Sequence, residues 1–445
     1  MYLLVERICK IVFLIIVVPS FCFSEEHGKE SSHLSGLIQS SYRGYVLNKG
    51  LGDNHKFLQS LDISYDDSEQ QGVSFDFSGD LIFGDNTHQD ESTGSIFDTW
   101  HQSAHTSIYQ LSSDVVFFKP TCLFSVGRHF VENLFKAHID GISLSNKFSN
   151  GLIYIYAGIP VRFYDDDLFT DSKQAGTSLS FYLNSQTSLN MAYQYLKEVP
   201  DIFENGSPES IHQLALSVNQ SIQDMGTFYL MGKTINSDMD QIKANILLFL
   251  EQHDVSANFT GLYQLKKISE RPVTEAYFAG VMGTILPYYY LDINVNKFFS
   301  TYNFEIYGGL ASRKLENDSL ASEFNHSFIH EYVGLILHDV TSADLYVHFK
   351  GDLWHQTQEG KNDFATGGFD ITYDQQGLWR LETGLNYSLY RYDYYMDLNE
   401  KDDIYSIYAE ARLKNFFQTE INIRYHLDMY DLTEHRFNIT AKYYF

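Results

Sequence analysis

Apolar and polar residues alternate one by one along nearly the whole chain beyond its first two dozen positions. The last segment is the clearest: Phe437, Ile439, Ala441, Tyr443 and Phe445 alternate with Arg436, Asn438, Thr440 and Lys442. The segment before it repeats the plan, with Phe417, Ile421, Ile423, Tyr425 and Leu427 set against Gln418, Glu420, Asn422, Arg424 and His426. Trp379, Leu381, Leu385, Tyr387 and Leu389 alternate with Arg380, Glu382, Asn386 and Ser388. Near the start, Val73, Phe75, Phe77, Leu81 and Phe83 face away from Ser74, Asp76, Ser78 and Asp80. A period of two belongs to a β-strand, whose successive side chains point to opposite faces of the pleat.

Two packed sheets would produce the same alternation, with their apolar faces buried on each other. Three features favour a closed membrane barrel instead. The alternating segments number about 22 and run for ~10 residues or more, the length a tilted membrane strand needs. Full charges sit in the middle of the polar faces. The chain ends on a strand whose last residue is Phe445.

Connections alternate in length as well. Short turns are read at Lys119-Pro120, Asn184 to Gln186, Glu251 to Asp254, Asp374 to Gly377 and Lys414-Asn415. Between them fall long loops: Gly84 to Gln102, Arg162 to Lys173, Lys197 to Glu209, Lys266 to Pro287, Ser312 to Asn325 and Arg391 to Asp403. Short turns at one rim and long loops at the other are the pattern of an outer-membrane barrel. With both chain ends at the short-turn rim the strand number is even. The reading is a single antiparallel up-and-down barrel of about 22 strands, within roughly 16 to 24.

Composition supports this reading and narrows the partners. The chain carries 33 Tyr, 34 Phe and 3 Trp among its 445 residues. Rings of this kind suit a wall with an apolar band between two interfaces. A net charge of -26, from 57 acidic and 31 basic residues, argues against nucleic acid, whose phosphates need a basic surface. Residues 1–24 read as a secretory signal peptide: Arg7 and Lys10 precede the apolar run Ile11 to Phe23, and Ser24 is small. Export removes Cys9 and Cys22 and leaves Cys122 as the one mature thiol, so no internal disulfide is expected. Residues 25–33 would form a short periplasmic segment, too short for an N-terminal plug domain, and residues 34–445 the barrel.

The signal peptide, the alternating strands and the terminal Tyr443-Tyr444-Phe445 resemble Gram-negative outer-membrane β-barrel proteins of the porin-like kind. The end resembles the signal read by the barrel-assembly machinery, which would be carried by Phe437, Ile439, Ala441, Tyr443 and Phe445. Gly127-Arg128-His129 followed by Asp140-Gly141 also resembles a porin-like strand pair, with His129 where Gln is usual. The resemblance implies an outer-membrane location after export, contact with outer-membrane lipid and lipopolysaccharide, and small polar solutes as cargo. A homotrimer is compatible with it.

If the apolar parity faces lipid, the polar parity lines the lumen, because a charge at the lipid midplane costs ~2–4 kcal/mol. The lumen candidates are Asp62, Asp76 and Asp80 on an acidic-leaning wall. Arg380, Glu382, Arg412, Arg424, Arg436 and Lys442 stand on a basic-leaning one. Barrel closure would bring the two walls near each other. A transverse field that selects solutes is one consequence; mutual neutralisation in a packed interior is the other. Glu270 to Pro287 is the candidate constricting loop, because Ala276 to Leu291 has no charge but contains Gly280, Gly283 and Pro287.

Catalysis is not expected. His138, Ser143 and Asn146 suggest a comparison with barrel phospholipases, but His138 and Ser143 differ in parity and so point to opposite faces. His330-Glu331 lacks the helical partner of a zinc protease motif. Asp165-Asp166-Asp167 lacks the glycine-centred spacing of a calcium loop. No catalytic residue, metal or cofactor is assigned. The reading is a porin-like channel for passive diffusion of small hydrophilic solutes or ions. A substrate-specific channel and a structural barrel enclosing a partner protein are the alternatives.

Overall fold

The computed structural model describes residues 34–47, 53–67, 73–86, 104–117, 122–131, 134–135, 137–161, 172–198, 209–222, 225–266, 287–317, 327–340, 344–356, 364–375, 378–388, 403–416, 418–430 and 433–444. The expected signal peptide and periplasmic segment, Phe445, and the candidate loop up to residue 286 lie outside them.

The chain folds into strands β1 (Leu34–Leu47), β2 (Asp53–Asp67), β3 (Val73–Asn86), β4 (Ala104–Phe117), β5 (Cys122–Phe130), β6 (His138–Phe148) and β7 (Gly151–Pro160). They continue as β8 (Lys173–Tyr182), β9 (Thr187–Glu198), β10 (Glu209–Ile222), β11 (Gly226–Ile235), β12 (Asp238–Leu250), β13 (Val255–Gln264) and β14 (Tyr288–Phe299). The last are β15 (Phe304–Leu315), β16 (Phe328–Leu337), β17 (Leu345–Gln356), β18 (Phe364–Gln375), β19 (Trp379–Ser388), β20 (Ile404–Phe416), β21 (Thr419–Met429) and β22 (Thr433–Tyr444). Each strand pairs antiparallel with the next, and β1 closes on β22 from Leu37↔Tyr444 to Leu47↔Glu434. The result is one closed sheet of 22 strands, the number and topology expected. Closure leaves no open edge, so every ladder group finds a partner within the wall.

The two faces are inverted relative to a water-soluble core. Leu111, Val126, Ile155, Leu216, Val333, Leu353, Leu385 and Ile423 are exposed on the outside. Gln194, Gln213, Lys233 and Asp240 are buried on the inside. A two-sheet sandwich would bury the first group, so it is excluded. Aromatic rings mark the margins of the outer band. Tyr289 lies near the long-loop end of β14 and stacks on Tyr263, with ring centres 4.2 Å apart. Phe299, ten positions on, stacks on Phe304 at the opposite end, at 4.5 Å. At ~3.3 Å per residue and a tilt of ~40°, that separation is about 25 Å along the barrel axis, the height of an outer-membrane apolar band.

A recurring brace stiffens the inner wall. Tyr156, Tyr307, Tyr332 and Tyr408 each face a glycine on the adjoining strand: Gly176, Gly334, Gly309 and Gly384. Each ring lies flat over that glycine, so an added Cβ would meet it at 2.2–2.5 Å. The hydroxyl then reaches past it: Tyr156 donates to Gln194 at 2.8 Å, Tyr307 meets His348 Nε2 at 2.7 Å, and Tyr332 accepts from Asn294 at 2.8 Å. Glycine is required here for space, because the neighbouring ring occupies the side-chain position.

Some boundaries differ from the sequence reading. Asp374 belongs to β18, where it pairs with Arg380, and Lys414 and Asn415 lie within β20 at an irregularity of its ladder, because β20 resumes pairing at Phe416. The long rim also carries one tight hairpin, Asn236-Ser237, whose two residues take φ of 50° and 75°. That is the backbone of a two-residue turn matched to strand twist. At the seam, Ile439 and Ala441 are buried together with Tyr42, although their parity is that of the outer face.

Candidate functional site

Three sectors of the inner wall differ in their chemistry. The first runs from β6 to β11 and is nearly free of charge. Its inward side chains are Ser143, Tyr154, Tyr156, Gln174, Ser178, Asn190, Ala192, Gln194, Leu196, Ile211, Gln213, Ala215 and Ser217, as the register from strand to strand shows. Most are buried; Gln213 is 1% exposed and Tyr156 2%. Part of the cover is the β5–β6 connection. Val131 N–H donates to Ala137 C=O at 2.7 Å, and Val131, Ala137, Ile139 and Tyr156 form a buried cluster. Phe135 of the same connection reaches β11, where Lys233 Nζ stands 5.7 Å from its ring centre. Lys233 is also 3.9 Å from the fully buried Asp240 carboxylate. A connection that starts between β5 and β6 and touches β11 lies inside the barrel. Among the described residues, this connection is thus an inward-folded segment.

Sequence reasoning missed a contact in this sector. His129 Nε2 is 3.0 Å from Ser143 Oγ, and Nδ1 is 3.0 Å from the Gly127 carbonyl. A carbonyl only accepts, so Nδ1 carries the proton; in a neutral ring Nε2 then accepts from Ser143. Tyr154 donates to the same Ser143 oxygen at 2.8 Å. His129 and Ser143 share inward parity on paired strands, which is the signal that could have found them. Both are buried, and the network ties β5, β6 and β7 together. His138, the partner considered from the sequence, instead stacks on Phe130 at 3.9 Å.

The second sector, β14 to β17, is aromatic and histidine-rich. Arg313 lies over the Tyr288 ring at 4.2 Å. Trp354 stacks on His330 at 3.9 Å and tilts against Phe328 at 5.2 Å. His330 Nε2 meets Asp352 at 2.8 Å, and Thr366 donates to the same carboxylate at 2.7 Å. His348 lies 3.3 Å and Lys350 3.8 Å from Asp370.

The third sector, β18 to β22, holds the basic candidates, and each arginine there has a carboxylate. Arg380 pairs with Glu382 at 2.6 Å. Arg412 lies 3.4 Å from Glu410 and 3.6 Å from Glu420. Arg424 clamps Glu410, with its Nε at 2.7 Å, while Asn422 donates to that carboxylate at 2.9 Å. Arg436 bonds Glu434 and lies 3.2 Å from Asp428. Lys414 meets Asp374 at 3.3 Å. Asp374, Asp428 and Glu434 share this face with the expected acids, so the wall is balanced in sign and does not lean basic. The guanidinium ends of two of these pairs are open to the lumen, Arg424 being 56% and Arg436 54% exposed at the side chain, while Glu410, Asp428 and Glu434 are packed into the wall. Lys442 faces Gln39 and Glu420 in register.

Of the acidic candidates, Asp62 and Asp76 are half-buried on the inner face of β2 and β3. Asp114 stands on the same face of β4, opposite Ser74. Asp80 sits on the same parity of β3, between Ser60 and Ser107. β1 alone separates Asp62 on β2 from β22, and Asp76 and Asp80 lie one strand further, so closure does bring the two walls close.

No protein-family model matches the sequence, and no curated relative matches it either. Among solved structures, the chain is similar to the translocation pore of the P pilus usher PapC, with 8% identity, a TM-score of 0.56, and 92% of this chain and 99% of that one covered. It also aligns with a BenF-like porin from Pseudomonas fluorescens Pf-5, with 11% identity, a TM-score of 0.45, and coverage of 92% and 98%. OccK2 (OpdF) from Pseudomonas aeruginosa gives 11% identity, a TM-score of 0.42, and coverage of 92% and 96%. Of these three, the usher pore carries the comparison, at the level of fold. In fold, this chain is a closed 22-strand antiparallel β-barrel, similar to that usher pore.

Proposed function

We propose that the barrel is an outer-membrane channel through which small hydrophilic solutes or ions diffuse passively, along the charged third sector. One observation carries this reading: the nearly uncharged sector is covered from within, while the guanidinium groups of the paired charges of β18 to β22 stay open to the lumen. Opposed charges held in a low-dielectric wall give a local field that orients polar solutes without net attraction for either sign. The path involves no chemical step and no cofactor. Export by the leader, and insertion guided by the terminal strand through Phe437, Ile439, Ala441, Tyr443 and Phe445, belong to the same proposal. The twofold alternation of that strand supports it.

The test is a planar bilayer holding the purified mature chain. Stable conductance steps with a reproducible reversal potential in a salt gradient are expected. Reversing Arg424 and Arg436 together, Arg424→Glu with Arg436→Glu, should move the preference toward cations. A folded, heat-modifiable barrel that never conducts would sink the channel reading in favour of a barrel filled by a partner protein.

A second reading is favoured by the aromatic sector. Arg313 over Tyr288, and Trp354 over His330, place flat apolar rings beside fixed hydrogen-bonding groups. Such a lane would slow one class of solute with an apolar face and polar edges, making the channel substrate-specific. Replacing Trp354 by Ala should then raise the flux of small ions while abolishing any solute-induced block.

A further inference from the structure

On the outer face, at the long-loop rim, Lys173 of β8 and Lys197 of β9 are directly opposed in the ladder. Both belong to the outward parity, because Leu179 and Phe181 on β8, and Met191 and Tyr193 on β9, are exposed on that face. Directly opposed side chains have Cβ atoms about 5 Å apart, and like charges at that spacing repel. Among the described residues neither lysine has a carboxylate partner. Their outward neighbours are Ala175, Tyr195 and Ser210, none of them anionic. The same rim shows what a satisfied cation looks like. Arg128 on β5 is held bidentately by Asp140 on β6, at 2.7 and 2.6 Å, also on the outward parity.

Just below the lysines lies a polar and aromatic shelf. Tyr195 hydroxyl is 3.1 Å from Ser210 Oγ, and Tyr193 hydroxyl is 2.8 Å from His212 Nδ1. Tyr195 and His212 are paired in register, with ring centres 5.4 Å apart. Below that shelf, Leu179, Leu189, Met191, Leu214 and Leu216 are exposed and apolar. From rim to midplane the order is therefore paired cations, then amphipathic rings, then aliphatic wall. That order matches a lipid standing upright, with a phosphate above, a glycerol or sugar backbone at the interface and acyl chains below.

We infer that the outer wall of β8–β10 is a docking site for a phosphate-bearing membrane lipid, with Lys173 and Lys197 clamping its headgroup. The phosphate supplies the counter-charge that the wall lacks and turns a repelling pair into a bridge. Tyr195, Ser210 and His212 offer hydrogen bonds to the groups beneath it, and the leucines meet the chains. The inference rests on the outer face being lipid-facing and is independent of what crosses the lumen.

The experiment compares the folded full barrel in nanodiscs of phosphatidylcholine alone, and of phosphatidylcholine with lipid A. The temperature of the heat-modifiable gel shift is read, together with lipid retained in native mass spectrometry. Wild type should gain several degrees with lipid A and retain it. Lys173→Ala with Lys197→Ala should lose that gain and bind lipid A at least several-fold less, while matching or exceeding wild type in phosphatidylcholine because the repulsion is gone. Lys314→Ala removes an exposed cation at the outer margin of β15, opposite Tyr289, and should behave as wild type. Lys197→Gln alone tests the clamp if the double variant does not assemble, with an intermediate loss expected. Retention of the gain in the lysine variants, an equal loss in Lys314→Ala, or the same gain from inorganic phosphate in phosphatidylcholine would each overturn the site. Conductance of the lysine variants should equal wild type, which separates this outcome from failure of the channel reading.

Discussion

The β6–β11 and β18–β22 stretches of the inner wall are built on the same ladder with the same Tyr-over-Gly brace, yet they solve opposite problems. The first presents amides, hydroxyls and small apolar groups, and covers them. The second presents guanidinium groups that stay in reach of water, clamped on carboxylates packed into the wall. A neutral amide can be buried at modest cost once its hydrogen bonds are made. A charge cannot, unless its partner and remaining lone pairs are all satisfied. Inward packing therefore follows the mostly neutral strands, where Lys233 and Asp240 are buried as a pair, and water follows the guanidinium groups of β18 to β22.

The sharpest way to break this contrast is to place a charge in the covered sector. Gln213→Glu puts a carboxylate where the native side chain is 1% exposed. An uncompensated buried charge costs about 3–5 kcal/mol, a large part of the stability of any domain. Loss of the heat-modifiable form is expected. The same type of change at Asn438, beside Arg424 in the open sector, should be tolerated. Equal assembly of the two variants would show that β6–β11 is not sealed.

Removing one carboxylate from the open sector tests the other half. Glu410 sits between Arg424 and Arg412 and is itself only 9% exposed at the side chain. Glu410→Gln leaves two cations with one fewer anion, so the permeability ratio should move several-fold toward anions. An unchanged reversal potential would place this cluster off the path.

A smaller and cleaner probe uses single cysteines in a Cys122→Ser background. Arg424→Cys should react with a membrane-impermeant thiol reagent, while Ile423→Cys, one position earlier and exposed on the outer face, should be shielded by lipid or detergent. Equal labelling of both would undo the assignment of faces.

Strand number, topology and facing were legible because they rest on a period of two, which each strand carries within itself. Phe437 against Arg436 is a local fact. The site was less legible because it depends on which strands meet at which height. Arg436 meets Asp428 across the β21–β22 ladder, eight positions away along the chain. The weight of Asp428, Glu434 and Asp374 became visible only with register. The inward segment was harder still. Ala276 to Leu291 stood out by its lack of charge, whereas Phe135 lies in a short connection whose inward path is fixed by packing on Lys233 and Tyr156. Nothing in its own spacing shows that.

The smallest expected effect is also the one that uses both sectors at once. Gly176→Ala and Gly384→Ala each add a methyl group that would stand 2.5 Å from the tyrosine lying over it. The clash is the same, but the room around it differs. Tyr156 is buried under the β5–β6 connection, so its ring has nowhere to go. The strain should appear as lost stability, about 1–3 kcal/mol as in other overpacked sites, with little change in conductance. Tyr408 lies on the open sector, held by a 3.2 Å bond to Glu382. Its ring can rotate off the wall into the lumen, giving up its hydrogen bonds to Glu382 and Asp370, about 1 kcal/mol each. Stability should fall less there, while conductance falls because a ring now stands in the path. Thermal shift and single-channel steps measured on both variants should therefore cross, each substitution moving one readout more than the other. If both variants lost stability alone, Tyr408 would be as tightly covered as Tyr156, and the open sector would have to be sought elsewhere on the wall.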